Sequence, residues 1–434
     1  MAADLLIRCG RVVDPSQAID SVADVLIIEG RIAAVGRDLP AADRPVVDAA
    51  GLIVAPGLVD MHVHLRDPGE THKEDLASGT AAAVRGGFTA VACMPNTVPP
   101  IDHPTVAEYV RGRAAAAAHC RVSPIGAITK GRQGRELAPI GTLAGAGVVA
   151  LSDDGVAVLD AGVLRRALSY ASMFDLPVIE HCEDPALAAG GVVHEGEYSS
   201  TRGLRGIPSS AETTIVARDL LLAEETGARL HIAHVSTAGA VRLIRDARAR
   251  GIRVTAEVTP HHLVLRDADV GEFDTDRKMN PPLRGADDRA ALREALADGT
   301  LDVVATDHAP HAAEEKMMEF DHAPFGVVGL ETALGILLTH LVEPGALSLM
   351  EVIRRMSTTP AAILGLPGGS LAPGSPGDVV LIDPERRWTV RRAELVSRSK
   401  NTPFDGWTLQ GRAVLTAVGG EVRHNDLAVE TRVP

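Results

Sequence analysis

The stretch GLVDMHVHLRDPG, residues 57–69, decides how the rest of the chain is read. An apolar run carries two histidines, His62 and His64, one residue apart. Side chains at i and i+2 of a strand project to the same face, so two imidazoles converge on one point. Neutral imidazole is the commonest protein metal ligand, and a pair held at strand spacing has lost much of its freedom before an ion arrives. An isolated pair of this kind is more often the polar rim of a sheet. The remainder of the chain shifts the balance.

Seven further apolar runs follow: FTAVACM (88–94), VSPIGAI (122–128), GVVALSDD (147–154), PVIEHCE (177–183), RLHIAHVS (229–236), RVTAEVTP (253–260) and LDVVATDHA (301–309). Ala- and Leu-rich stretches such as EDLASGTAAAVRGG (74–87), AGVLRRALSYASM (161–173) and AETTIVARDLLLAEETG (211–227) lie between them. Eight such runs predict βα repeats, and their continuous apolar character suits parallel strands covered by helices. A doubly wound open sheet shares that pattern. What favours a closed (β/α)8 TIM-like barrel is the position of the polar chemistry: His62, His64, Asn96, Asp154, His181, His234 and Asp307 stand at or just beyond strand ends, where barrel enzymes collect catalytic residues.

The two ends of the chain have a different texture. Residues 1–55 read as short strands broken by turn dipeptides, and residues 366–434 return to that pattern with little helical periodicity. These N-terminal and C-terminal segments are expected to pack together as one small β-sandwich, flanking a barrel over 56–365.

Composition narrows the functional class. At 434 residues the chain suits a barrel of about 250 residues with an added module. A formal charge of −14 argues against nucleic acid or an anionic membrane as partner, since both require a cationic field. A small-molecule substrate fits better, and local Arg, His and metal can still reverse the potential inside a pocket. Cys9, Cys93, Cys120 and Cys182 are widely spaced without a CxxC pair, which speaks against a disulfide framework. The N-terminal stretch lacks a basic start followed by a long apolar segment, and no window reaches the roughly 18 apolar residues of a membrane span. A cytoplasmic location is expected.

His181 and His234 each close an apolar run, and at equivalent places in a repeating fold they join the His62/His64 pair as candidate ligands. Asp307 emerges where its run ends, with His311 four residues later. An Asp in this position also serves as a turn or cap residue. The pair Asp153/Asp154 reads alone as an acidic turn. If two divalent ions are held about 3.5–4 Å apart, a bridging carboxylate offsets their charge, and Asp154 is available for that role. Lys130 is read as a solvated loop residue, while His261 and His262, after the seventh run, are assigned no role, orienting a ligating histidine being one that remains open to them. The charged segment 311–326 is a candidate lid.

These segments together resemble the bacterial type I dihydroorotases of the amidohydrolase superfamily. DMHVHLRDP (60–68) and ATDHAPHAAEEK (305–316) match its two signatures, and MPNT (94–97), LSDDG (151–155), EHCED (180–184), HIAHVST (231–237), EVTPHHL (257–263), NPPLR (280–284), PFGVVGLET (324–332) and SKNTPF (399–404) also follow its pattern. The resemblance implies a zinc-dependent enzyme with two Zn2+ per subunit. His62, His64 and Asp307 would serve one ion and His181 and His234 the second, with Asp154 bridging. It further implies reversible cyclisation of N-carbamoyl-L-aspartate to L-dihydroorotate with loss of water, in pyrimidine biosynthesis. The ring-opening direction would use a metal-activated hydroxide, with Asp307 as proton shuttle. Arg66, Asn96 and His311, together with His64, would cradle the substrate carboxylate, and Asn280 with the backbone at Phe325 and Gly326 would hold the ureide edge. A homodimer, and an association with aspartate transcarbamoylase, are implied by analogy alone. Hydantoinases, dihydropyrimidinases and allantoinases share fold and chemistry but generally bridge their metals with a lysine. An inactive dihydroorotase-like scaffold for aspartate transcarbamoylase would typically have lost ligands that this chain retains.

Overall fold

The computed structural model describes residues 3–427. Its N-terminal strands are β1 (Leu5–Asp14), β2 (Ile19–Ile28), β3 (Arg31–Gly36), β4 (Val46–Asp48) and β5 (Ile53–Pro56). The chain then enters the barrel through β6 (Leu58–Val63), which carries the first histidine pair at its end. The following parallel strands are β7 (Phe88–Cys93), β8 (Arg121–Pro124), β9 (Leu151–Ser152) and β10 (Val178–Glu180). A small parallel pair, β11 (Val193–His194) and β12 (Gly206–Ile207), interrupts the repeat before β13 (Leu230–Ile232), β14 (Val254–Val258) and β15 (Val303–Val304).

The barrel strands hydrogen-bond as two parallel arcs, β6-β7-β8 and β9-β10-β13-β14-β15. Single parallel bridges, Gly126 to Leu151 and Val63 to His308, join the arcs on both sides and complete the ring. All eight runs read as strands in the sequence contribute to it. Their residues are almost all buried, as parallel strands sheathed by helices must be, and β8, with Arg121 exposed and Val122 and Ser123 half-buried, is the departure.

Helices follow where the Ala- and Leu-rich stretches predict them: Leu76–Arg85, Ala161–Ser172, Ser209–Thr226 and Ala238–Ala249 among others. Three of these starts are fixed by side-chain caps that accept otherwise unpaired N–H groups, Asp75 for Ser78, Asp160 for Val163 and Thr237 for Ala240, while Ser209–Thr226 begins after Pro208. The last of these matters for the site, because Thr237 closes the short link that begins at His234. Glu212, buried in helix Ser209–Thr226, accepts from the backbone N–H groups of Ser236 (3.2 Å) and Thr237 (3.0 Å), and so holds that link against the neighbouring helix.

After the last barrel helix the chain returns to the terminal sheet as β16 (Val379–Thr389), β17 (Thr408–Val418) and β18 (Glu421–Asn425). β16 pairs antiparallel with β5, so strands from both ends of the chain share one eight-stranded sheet. It has its own apolar core, built from Leu5, Ile7, Val25, Ile27, Val379, Leu381 and Leu415 among others. Among the described residues, no helix is long and apolar enough to cross a membrane.

Candidate active site

The carboxyl ends of the barrel strands converge on a cavity of about 230 Å3 lined by His64, Arg66, Asn96, Asp154, Gly155, His181, His234, Asn280, Asp307, Ala309, His311, Phe325 and Gly326. Every site residue named from the sequence is there except His62, which lies fully buried behind the wall. A larger cavity of about 330 Å3 opens at the opposite strand ends, against Val59, Thr89 and Ser123, and has no histidine in its lining. The histidines and acids named from the sequence thus gather at one end of the barrel.

Backbone conformation helps aim the side chains. Arg66, His234 and Asp307 have φ of 58°, 30° and 48°, in the left-handed region that residues with a Cβ seldom occupy. Such conformations cost of the order of 1–3 kcal/mol each and persist where surrounding structure enforces them. Here the enforcement is visible. The His64 N–H donates to the His308 carbonyl at 2.8 Å, and the buried Asp60 carboxylate accepts from the N–H groups of His62 (3.1 Å) and Thr306 (3.2 Å). Burial pushes Asp60 up to about 6 despite those hydrogen bonds. The ends of β6 and β15 are thereby sewn together, which brings His62 and His64 to Asp307.

Within the cluster, Asp307 Oδ1 lies 3.1 Å from His64 Nε2 and 3.5 Å from His62 Nε2. Asp154 Oδ1 lies 3.3 Å from His62 Nε2 and 3.9 Å from both His181 Nδ1 and His234 Nε2. The Asp153/Asp154 pair divides its work. Asp153 Oδ1 turns away and accepts from the N–H groups of Ile128 (2.9 Å) and Thr129 (3.1 Å), which leaves Asp154 to face the histidines. Asn96 ties two members together: its Oδ1 is 2.9 Å from His64 Nδ1, and its amide donates to Asp154 Oδ2 at 3.2 Å. Lys130 stands apart, exposed and paired with Glu136.

The electrostatics follow from packing imidazoles around two carboxylates in a dry place. Burial works against ionisation of Asp154 and Asp307, yet His62 and its neighbours hold both well below the usual carboxylate range. Burial likewise opposes charge on His62, but Glu257, Asp154 and Asp307 raise it well above an ordinary histidine. His181 is pushed down to about 3 by burial and by His234, and His261 down to about 4 by burial.

Two groups of donor atoms lie close enough to share an ion: His62, His64 and Asp307, and His62, Asp154 and His234. His181 adjoins the second, its Nδ1 2.9 Å from His234 Nε2. Among the described residues, buried His62 Nε2, His181 Nε2 and His234 Nδ1 find no hydrogen-bond partner. Buried polar atoms are rarely left so, and an unpaired His62 Nε2 that lies 3.3 Å from Asp154 and 3.5 Å from Asp307, with His181 and His234 close by, suits a divalent cation of borderline softness. The residues present fit such a metal.

The other wall is built differently. Arg66 is buried, its Nε donating to the Pro310 carbonyl at 3.2 Å and its Nη2 3.4 Å from His311 Nε2. His311 Nε2 also lies 2.8 Å from the Phe325 carbonyl. The Gly326 N–H is already spent on the Lys278 carbonyl (3.0 Å), and the Gly326 carbonyl accepts from Asn401 at 3.0 Å, so its backbone offers a ligand little beyond a second lone pair. Asn280 Oδ1 is buried and without a partner. Segment 311–326 is not bare loop. It contains the helical turn Ala313–Lys316, and the Lys316 ammonium donates to the carbonyls of Thr275 (2.8 Å), Lys278 (3.3 Å) and Pro324 (2.8 Å).

Sequence reasoning passed over several supporting residues. Glu257, Asp60 and Asn401 all sit in segments whose pattern is noted above, and none is singled out there. For Glu257 and Asp60 the available signal was an acid inside an apolar strand run, since a carboxylate is seldom buried without partners; Asn401, an amide between strands, carries no such signal. His262 is a structural neighbour, with Nδ1 2.7 Å from Thr259 Oγ1 and Nε2 3.0 Å from the Pro281 carbonyl. His261 is buried near the cluster with Nε2 unpaired.

Comparison with known proteins is consistent across the chain. A family signature described as Dihydro-orotase-like matches residues 51–240. A dihydroorotase of Pelotomaculum thermopropionicum is 54% identical over 98% of this chain and 99% of its own length. One from Syntrophotalea carbinolica is also 54% identical, over 97% and 99%. Among solved structures, the L-hydantoinase (dihydropyrimidinase) of Arthrobacter aurescens superposes with a TM-score of 0.87 at 28% identity, covering 98% of this chain and 97% of that one. The dihydropyrimidinase of Brevibacillus agri gives 0.86 at 27%, covering 98% and 95%.

Proposed function

The chain belongs to the dihydroorotase family, and from that premise we propose that it catalyses the reversible cyclisation of N-carbamoyl-L-aspartate to L-dihydroorotate, with loss of water, in pyrimidine biosynthesis. The observation that carries this substrate is Arg66: a guanidinium buried on the pocket wall, facing the cluster of acids and imidazoles, matches a ring that bears a carboxylate.

His62, His64 and Asp307 would hold one Zn2+ and His181 with His234 a second, Asp154 lying between them. When bound, such ions lower the pKa of water from 15.7 towards about 7 and polarise the attacked carbonyl.

The chain's own residues do the rest. Asp307, kept ionised by His62 and His64, takes the proton of the attacking water at its carboxylate and delivers it to the ring nitrogen that leaves. In the biosynthetic direction it removes that proton from the ureido nitrogen as the ring closes. Arg66 holds the substrate carboxylate in a planar fork, its own position set by the Pro310 carbonyl. Asn96 keeps His64 oriented while facing the same carboxylate, and His311 closes that side. Asn280 Oδ1 accepts from a ureide N–H, and the carbonyls of Phe325 and Gly326 flank the same edge. The reading extends to a cytoplasmic homodimer able to associate with aspartate transcarbamoylase.

The test is hydrolysis by zinc-loaded protein of L-dihydroorotate beside dihydrouracil, hydantoin and allantoin. Dominant turnover of L-dihydroorotate is the expected result. Preference for a ring without a carboxylate would move the enzyme to the hydantoinase side, and no turnover of any ring would favour a scaffold.

A further inference from the structure

Glu257 lies in β14, completely buried and outside the lining of the pocket. One of its oxygens serves two regions of the site. Oε1 is 2.6 Å from His62 Nδ1 and also accepts from the His234 backbone N–H at 3.2 Å. Oε2 is 3.2 Å from His231 Nε2, and His231 Nδ1 is 2.8 Å from Thr255 Oγ1 across the β13–β14 ladder. A carboxylate only accepts, so the imidazole nitrogens facing it carry the protons. His62 Nδ1 therefore carries a proton, and Nε2, which faces Asp154 at 3.3 Å and Asp307 at 3.5 Å, is the nitrogen that would give up its proton to ligate a cation held beside those acids. That nitrogen has no hydrogen-bond partner among the described residues.

We propose that Glu257 is a positioning residue that fixes the tautomer of His62 and locks it in register with His234, so that a single carboxylate oxygen indexes both cation positions to each other. A partner that merely oriented one histidine would need one contact. Glu257 makes its two on residues contributed by β6 and by the end of β13, two separate strands of the ring. His231 and Thr255 complete the arrangement from below and keep the second oxygen from turning towards the site. The inference rests on the reading of His62 and His234 as cation ligands and adds a residue that touches neither cation nor substrate.

The experiment is Zn2+ titration of the full chain against a chromophoric chelator, for the parent and for Glu257→Gln, with thermal melts of both metal-free proteins. Parent binding with a loss of about 10- to 100-fold in both affinities for Glu257→Gln is the expected result, since partners of ligating histidines are typically worth that much. Parental affinities in the variant, or a loss confined to one ion, would overturn the inference while leaving the ligand reading intact. Failure of the parent to bind Zn2+ would overturn the ligand reading itself. If Glu257→Gln does not fold, 15N spectra of the zinc-loaded parent, labelled at histidine and assigned by difference with His62→Gln, decide the matter. A proton on Nδ1 of His62 supports the proposal, and a proton on Nε2 refutes it.

Discussion

The two walls of the pocket are made of different material. On one, His181, His234 and Asp307 stand just beyond barrel strands with His62 buried behind them, and buried carboxylates such as Asp60 and Glu257 hold the strand ends together. On the other, Arg66, His311, Phe325 and Gly326 are held by backbone carbonyls and by loops that meet beyond the barrel. The first wall fixes atoms to strands that cannot shift without opening the ring. The second is a surface of loop segments whose shape depends on a few side-chain clamps, among them Lys316 and Asn401. Chemistry needs the former, because donor atoms must stay within tenths of an ångström. Choice of ring needs only the latter, and a change there leaves the reacting centre standing.

Asp307→Asn is the hardest test of the first wall. It keeps an oxygen near His64 but removes the base, so kcat in steady-state hydrolysis of L-dihydroorotate should fall by about 10²- to 10⁴-fold while zinc content by elemental analysis stays close to the parent. An active variant would remove Asp307 from proton transfer. Arg66→Lys is the matching test of the second wall. A point charge cannot reproduce a planar fork, and one lost hydrogen bond to a charged group is worth about 1.5–3 kcal/mol, or roughly ten- to a hundredfold in KM. The kcat should change far less, and zinc content not at all. An equal loss in kcat would mean that the two walls are one unit.

Gly326→Ala separates shape from charge. Gly326 has φ of 133°, and a Cβ there would stand 2.8 Å from the Ala309 Cβ and 3.1 Å from His311 Cδ2. Something on the substrate wall must move, and His311 and Arg66 are in contact. A several-fold rise in KM with parental zinc content is expected. A drop in zinc affinity would show that strain crosses from one wall to the other.

The contrast also explains what could be read in the chain beforehand. The gathering of His62, His64, His181, His234 and Asp307 at one end was legible because strand ends repeat, and a polar residue at each equivalent end breaks an apolar pattern in the same place. The ring itself was legible for the same reason. What the pattern could not say was which of Asp153 and Asp154 faces inward, since adjacent residues differ only by backbone direction after the two-residue β9. Glu257 escaped notice because its partner His62 is 195 positions away, and no local period links them. The anchoring of segment 311–326 was illegible too. Its charge suggests a solvated lid, yet Lys316 is buried against carbonyls that come from residues 275 and 278 as well as its own segment.

That lysine is the change furthest from the reacting centre, and its effect has the cleanest sign. Burial, aided by Lys278, lowers Lys316 from 10.5 to about 8, although Asp276, Asp274 and Glu315 pull the other way. Below pH 8 the amine is charged in both the folded and unfolded chain, and the fold bears the whole cost of burying that charge. Between pH 8 and 10.5 the unfolded chain keeps a proton that the folded one has released, so this group makes stability rise with pH across that window. Lys278, lowered to about 8 chiefly by burial, acts in the same direction and remains in a Lys316→Met variant. The variant should lose about 1–3 kcal/mol at pH 7, because three carbonyls lose their donor, and its Tm should gain less than the parent's between pH 8 and 10. Thermal melts at four pH values measure the difference. Identical slopes would mean that Lys316 keeps its ordinary basicity, and a zinc affinity altered along with the slope would mean that the loop clamp reaches the strand wall.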